Sequence, residues 1–104
     1  MRECEIKREG ERVIASIKCE IDHHTAKGIR EAIDREICEN GVKILTIDFS
    51  SVTFMDSSGI GLIIGRASKA EKSGARVEVM GLCRSLRKIV CMSGIERIPN
   101  VNIT

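Results

Sequence analysis

Two short clusters of acids, hydroxyls and imidazoles carry what chemistry this chain could do. One is Asp56-Ser57-Ser58-Gly59, between an apolar strand end and a helical pattern; the other is Asp22-His23-His24-Thr25. Serine, histidine and aspartate together raise the prospect of a hydrolytic triad. However, no G-x-S-x-G elbow is present and nothing specifies a histidine oriented by a buried acid, so a serine nucleophile is disfavoured. GIGLIIG, residues 59–65, lacks the Gly-Lys-Ser/Thr ending of a phosphate-cradling P-loop. Two other readings need only a helix start. Asp56 or Ser57 can cap free backbone N–H groups. A hydroxyl there can also accept a phosphoryl group, whose charge of about −2 the positive end of the helix tolerates. One residue suffices for capping, so a hydroxyl stays available, and these arguments leave Ser57 and Ser58 equal. A phosphate would add to the charge of Asp56, and of Asp22 if the loops share a rim. It would make a neutral docking surface bulky and negative, a switch that acts on partner binding rather than on the fold.

The elements that must position these residues follow from periodicity. Residues 3–8 and 12–19 alternate as strands around Glu9-Gly10-Glu11, which predicts a hairpin. Residues 20–25 read as a polar loop, with Thr25 as the cap of a helix whose stripe is Ala26, Ile29, Ile33 and Ile37. Asn40-Gly41 is expected to close that helix. KILTIDF, residues 43–49, reads as a central strand covered on both faces. A helix from about residue 57 to 73 follows, with Ile60, Ile63, Ile64, Ala67 and Ala70 as its buried face. Ser58, Gly61, Leu62 and Gly65 form a displaced stripe that is at least partly outward. Each glycine costs about 1 kcal/mol against alanine in a helix. Their spacing fits close approach of another backbone, either a neighbouring helix of the domain or a partner. Residues 76–80 predict a strand, Ser85 the cap of a third helix with Leu86, Ile89 and Val90 inward, and Gly94 its end. Ile95, Ile98, Val101 and Ile103 suggest a last edge strand interrupted by Pro99.

The order β-β-α-β-α-β-α-β implies an α/β domain with parallel pairing and right-handed crossovers after the hairpin. Functional loops then gather at the carboxyl ends of the strands, which puts Asp22–Thr25 beside Asp56–Ser58.

Bulk properties exclude other classes. The 104 residues fit one domain. Aromatics are 2%, with no Trp or Tyr, which removes the base-stacking platform of sheet-type nucleic-acid modules. Residues 1–53 carry 9 basic and 11 acidic side chains, and residues 54–104 carry 8 and 4, so the carboxyl-terminal half is basic. Its cations read as a solvated helix surface or as a charged docking face. Five cysteines without a CxxC pattern predict a reduced, cytoplasmic protein with mostly buried thiols. No cysteine pair has ligand spacing and adjacent histidines on an extended segment point apart, so no metal is expected. No apolar run approaches a membrane span.

The stretches EIDHHTA (20–26), FSSVTFMDSSGIGLIIGR (49–66) and MSGIERI (92–98) resemble the STAS-domain anti-sigma factor antagonists of the sporulation type, over nearly the whole chain. The resemblance implies the STAS fold, a mixed β-sheet with helices packed mainly on one side, and a single domain over 1–104 that lacks the last C-terminal helix of relatives. It also implies partner switching. The unphosphorylated protein binds an anti-sigma factor serine kinase and releases a sigma factor. The kinase uses ATP to phosphorylate the second serine of DSSG, here Ser58, and a serine phosphatase restores it. Asp22 matches the family's loop acid beside that serine. The docking surface is expected to include Asp22, His23, His24, Thr25, Asp56, Ser57, Gly59, Gly61 and Leu62. No catalysis, cofactor, metal, nucleic acid or membrane is expected, and the expected state is a monomer. The rivals are a STAS module that binds a nucleotide or other small ligand, and a regulator in a stress-signalling scaffold. One residue departs from the motif: Cys19 stands where glycine is usual.

Overall fold

The computed structural model describes residues 3–38 and 41–104. Its elements are β1 (Cys4–Glu9), β2 (Arg12–Ile17), α1 (His23–Ile37), β3 (Ile44–Asp48), α2 (Ser57–Lys72), β4 (Arg76–Met80), α3 (Arg84–Met92), a 3₁₀ turn (Ile95–Arg97) and β5 (Val101–Ile103). The strands form one mixed sheet in sequence order. β1 and β2 pair antiparallel, with Cys4 opposite Ile17 and Glu9 opposite Arg12. The remaining pairs are parallel, and Val13, Leu45, Val77 and Val101 lie in one row. Each helix joins neighbouring parallel strands, and the chain always advances the same way along the sheet. Right-handed crossovers therefore put all three helices on one face.

Strand alternation supplies the core beneath them. Val13, Ala15, Ile17, Leu45, Ile47, Val77 and Val79 are fully buried, as are Ile29 and Ile33 of α1 and Ile63 and Ala70 of α2. Each larger aliphatic side chain so buried contributes roughly 1.5–3 kcal/mol. No helix covers the opposite face of β3, contrary to the expectation from its apolar run. There, Arg12 Nη1 donates to Thr46 Oγ1 at 2.7 Å and to Glu78 Oε1 at 2.5 Å. This polar bridge leaves Thr46 only 2% exposed. Its hydrogen bond from Arg12 holds the Glu78 carboxyl below the usual carboxylate range.

Several boundaries differ from the sequence reading. β2 ends at Ile17, and α1 starts at His23 with Asp22 as its N-cap, so His23–Thr25 form the first helical turn rather than a loop. Cys19 has no strained backbone, since no non-glycine residue among those described has positive φ. Asn40 lies outside the described residues; Gly41 has φ +84°. α3 starts at Arg84 with Cys83 as N-cap and no side-chain cap, so Ser85 is not the cap. Leu86 and Val90, one turn apart, are buried, whereas Ile89 is 45% exposed. Of the last apolar segment only Val101–Ile103 pairs with β4; Ile95–Arg97 is a 3₁₀ turn.

The thiols are also more exposed than expected: Cys4 is buried, Cys19 and Cys91 are half-buried, and Cys38 and Cys83 are exposed. Burial pushes the Cys4 thiol up to about 11 and raises that of Cys19. Hydrogen bonding from Ser85, then from the Leu86 N–H at the start of α3, lowers that of Cys83. Because the thiolate is the nucleophile, Cys83 should be alkylated ahead of Cys4 and Cys19 in native protein at pH 8. Peptide mapping after limiting iodoacetamide reads the order; label on Cys4 before Cys83 would contradict it.

Candidate functional site

The loops after β2 and β3 are tied together. Ile21 and Met55 form a parallel bridge, in which Ile21 N–H donates to Phe54 O and Asp56 N–H donates to Ile21 O, both at 3.1 Å. Ile21 is fully buried and Met55 is 4% exposed. The bridge sets the starts of α1 and α2 side by side, as the shared rim requires.

Each helix start is capped by an aspartate. Asp22 Oδ1 accepts from His24 N at 2.8 Å and Thr25 N at 2.9 Å. Thr25 Oγ1 accepts from Asp22 N at 3.0 Å and donates to Glu20 O at 2.9 Å. This is a reciprocal capping box in which Thr25 occupies the third helical position. Its N–H, then that of His24, holds the Asp22 carboxyl below its ordinary range. On α2, Asp56 Oδ1 accepts from Ser58 N at 2.8 Å. Asp56 therefore does the capping, and neither serine hydroxyl hydrogen-bonds to the described residues. The helical turn brings His23 and His24 together instead of pointing them apart: their rings stack with centroids 4.4 Å apart and an interplanar angle of 25°.

Ser58 differs from Ser57 in what it faces. Ser57 is exposed, whereas Ser58 is half-buried and lines a cavity of about 490 Å³ between α1 and α2. Its walls are His23, Ala26, Lys27 and Arg30 on one side, and Gly61, Leu62, Gly65 and Arg66 on the other. A Cβ at Gly61 or Gly65 would find nothing within 4 Å, so these glycines leave open space rather than accommodate a neighbouring helix. Gly59 and Leu62 are less exposed than their outward placement predicts, though Leu62 still lines the cavity. Gly59 is buried, and a Cβ there would meet Met55 Sδ at 2.6 Å. Leu62 is 3% exposed, while Ile64, expected inside, is 45% exposed. α2 packs against both the sheet and α1. Its buried stripe therefore centres on Gly59, Leu62, Ile63, Arg66 and Ala70.

Arg66 stands in that stripe at 4% exposure. Its Nε lies 2.7 Å from Asp34 Oδ1 of α1, and Lys69 Nζ lies 3.5 Å from Asp34 Oδ2. The Arg66–Asp34 contact is an ion pair without hydrogen-bond alignment, and Arg66 Nη1 is buried with no partner. Sequence reasoning did not assign Lys27, Arg30 or Arg66 to the site. Lys27 and Arg30 at i and i+3 beside a glycine pair were the available signal; the burial of Arg66 depends on a partner 32 positions away.

Comparison with known proteins gives a consistent result. The sequence profile of the STAS domain matches residues 3–104. The chain is 32% identical over 85 residues to an anti-sigma F factor antagonist of Lysinibacillus sphaericus, covering 82% of this chain and 73% of the relative. It is 32% identical over 90 residues to that of Paenibacillus polymyxa, covering 83% and 74%. Among solved structures, the anti-sigma factor antagonist SpoIIAA in its unphosphorylated form superimposes with a TM-score of 0.81 at 28% identity, over 97% of this chain and 87% of that one. The phosphorylated form of Bacillus SpoIIAA gives 0.74 at 28% identity, over 97% and 90%. Among the described residues no helix is long and apolar enough to cross a membrane.

Proposed function

The chain belongs to the STAS domain family, and from that premise we propose that it is an anti-sigma factor antagonist of the sporulation type. It works in the cytoplasm by partner switching, as a regulator without catalysis or cofactor of its own. In its unphosphorylated form it binds an anti-sigma factor serine kinase, and a sigma factor is released. The kinase transfers the γ-phosphoryl group of ATP to Ser58 Oγ; the hydroxyl proton leaves and ADP departs. A serine phosphatase hydrolyses the ester and restores binding.

The observation that carries this reading is the hydroxyl of Ser58. It stands uncommitted at the α2 start, because Asp56 already satisfies the backbone. A phosphate there adds charge without removing a cap. A 28% identical relative keeps the same fold in both forms, as the two superpositions record. Asp56 and Ser57 precede Ser58 on the rim, His23 lines the same cavity across from it, and Gly61 extends the bare surface along α2. Asp22 and His24 belong to the neighbouring α1 start that the Ile21–Met55 bridge brings alongside.

Incubation with the kinase and ATP, followed by site mapping, tests the assignment. Wild-type chain should gain one phosphate, on Ser58. Ser58→Ala should bind the kinase with an unchanged dissociation constant and take up no phosphate; mass spectrometry that still finds one would sink the assignment.

A further inference from the structure

The cavity between α1 and α2 has an electrostatic imbalance. Every charged side chain on its walls, Lys27, Arg30 and Arg66, is cationic. Neither Lys27 nor Arg30 has an ion-pair partner among the described residues. Arg66 is shared with Asp34, feels the repulsion of Arg30, and keeps Nη1 buried without a partner. Three cations around one open space, two of them unpaired, call for an anion. Ser58 lines the same space and presents an uncommitted hydroxyl.

Counting along both helices from the Ile21–Met55 bridge places Ser58 level with His24. At about 1.5 Å per residue, Lys27 lies roughly 4.5 Å and Arg30 roughly 9 Å further along the axis. Long helical side chains lean back toward the helix N-terminus, which brings both toward Ser58. The two carboxylates nearest the rim, Asp22 and Asp56, are turned onto backbone N–H groups as caps.

We propose that Lys27 and Arg30 form a receiving site, in cis, for a phosphate carried by Ser58. The inference rests on the reading of Ser58 as the phosphorylated residue and adds how the mark acts. The phosphate enters the α1–α2 groove, pairs with the two free cations, and approaches the field of Arg66. Phosphorylation then neutralises the cationic surface of the groove at its Ser58 end and removes it from a partner, instead of presenting a bare negative charge. The modified serine also clamps the two helices together at their starts.

Phosphoserine installed at position 58 by genetic encoding tests this without any kinase, so its outcome is separate from that of kinase labelling. Phosphorus NMR reads the second ionisation of the phosphate, which is near pH 6 for an unperturbed ester. The groups around it are His23, His24, Lys27 and Arg30 on α1, Arg66 on α2, the capping Asp22 and Asp56, and the N–H groups that open α2. Cations within ~4–6 Å should lower that ionisation by about one unit or more. In Lys27→Gln/Arg30→Gln, with the same phosphoserine, it should move back up toward the unperturbed value, the remaining depression coming from the α2 N-terminus and Arg66. Both substituted side chains are exposed, so circular dichroism should show the fold retained. An ionisation that is the same with and without Lys27 and Arg30 overturns the proposal, even if the kinase does label Ser58.

Discussion

Asp34→Ala is expected to destabilise the protein by about 3–5 kcal/mol, the cost of leaving one member of a buried pair alone. The loss falls on Arg66 rather than on Asp34. Arg66 is 4% exposed, and Asp34 is the single carboxylate 2.7 Å from its guanidinium. Burial alone disfavours the charged guanidinium, and Asp34 is what opposes that tendency. Lys69, half-exposed and 3.5 Å from the same carboxylate, loses little because water can replace its partner. A domain of this size has roughly 5–15 kcal/mol in hand, so the urea midpoint should fall by a large fraction of its wild-type value. The double variant Asp34→Leu/Arg66→Met should recover most of it, because two apolar side chains of similar volume need no compensating charge. If Asp34→Ala lowered the midpoint no more than Lys69→Ala does, Arg66 would be reaching water, and the assignment of a buried pair would be wrong.

Gly81→Ala is expected to cost about 3 kcal/mol or more, from two sources. Gly81 has φ +77°, where a side chain costs roughly 1–2 kcal/mol by backbone sterics alone. A Cβ there would also overlap Ser50 Oγ and lie 2.7 Å from both Asp48 Oδ1 and Ser50 N. Those atoms are not free to retreat. Asp48 Oδ1 accepts from Ser50 N at 2.9 Å, and Phe49 N–H donates to Met80 O at 2.8 Å. Gly10→Ala is the control, with φ +61° and nothing within 4 Å of its Cβ position. It should show the backbone term only. Equal thermal shifts for the two variants would mean that the β3 and β4 loop ends are not in contact as described.

What the sequence made legible was local. The order of strands and helices, the shared rim and the Gly94 helix end follow from periodicity and turn chemistry within a few residues, and the structure has them. The misses share a cause: each depends on a partner distant in the chain. Ile60, Leu62, Ile63 and Ile64 surround α2 with apolar residues, so periodicity could not decide whether Leu62 or Ile64 faced in. Packing against α1 decided it for Leu62. Arg66 looked like a surface cation because Asp34 belongs to another helix. The far face of β3 is occupied by Arg12 and Glu78 from its two neighbouring strands. Asp22 was missed as a cap because Asp22 and Thr25 both suit that position, and only the reciprocal hydrogen bonds separate the two roles. The cationic groove is legible only once the two helices lie side by side.

The bridge between Ile21 and Met55 has a kinetic consequence. Two hydrogen bonds fix both loop ends before any partner arrives. The backbone on which a docking protein would land is held by the fold itself, so ordering that backbone adds little to the cost of binding. Association on such a surface is limited by encounter and orientation, not by rearrangement. Under the proposed switch, a phosphate on Ser58 would act on a rim that the fold already holds, and its removal would require no refolding of that rim.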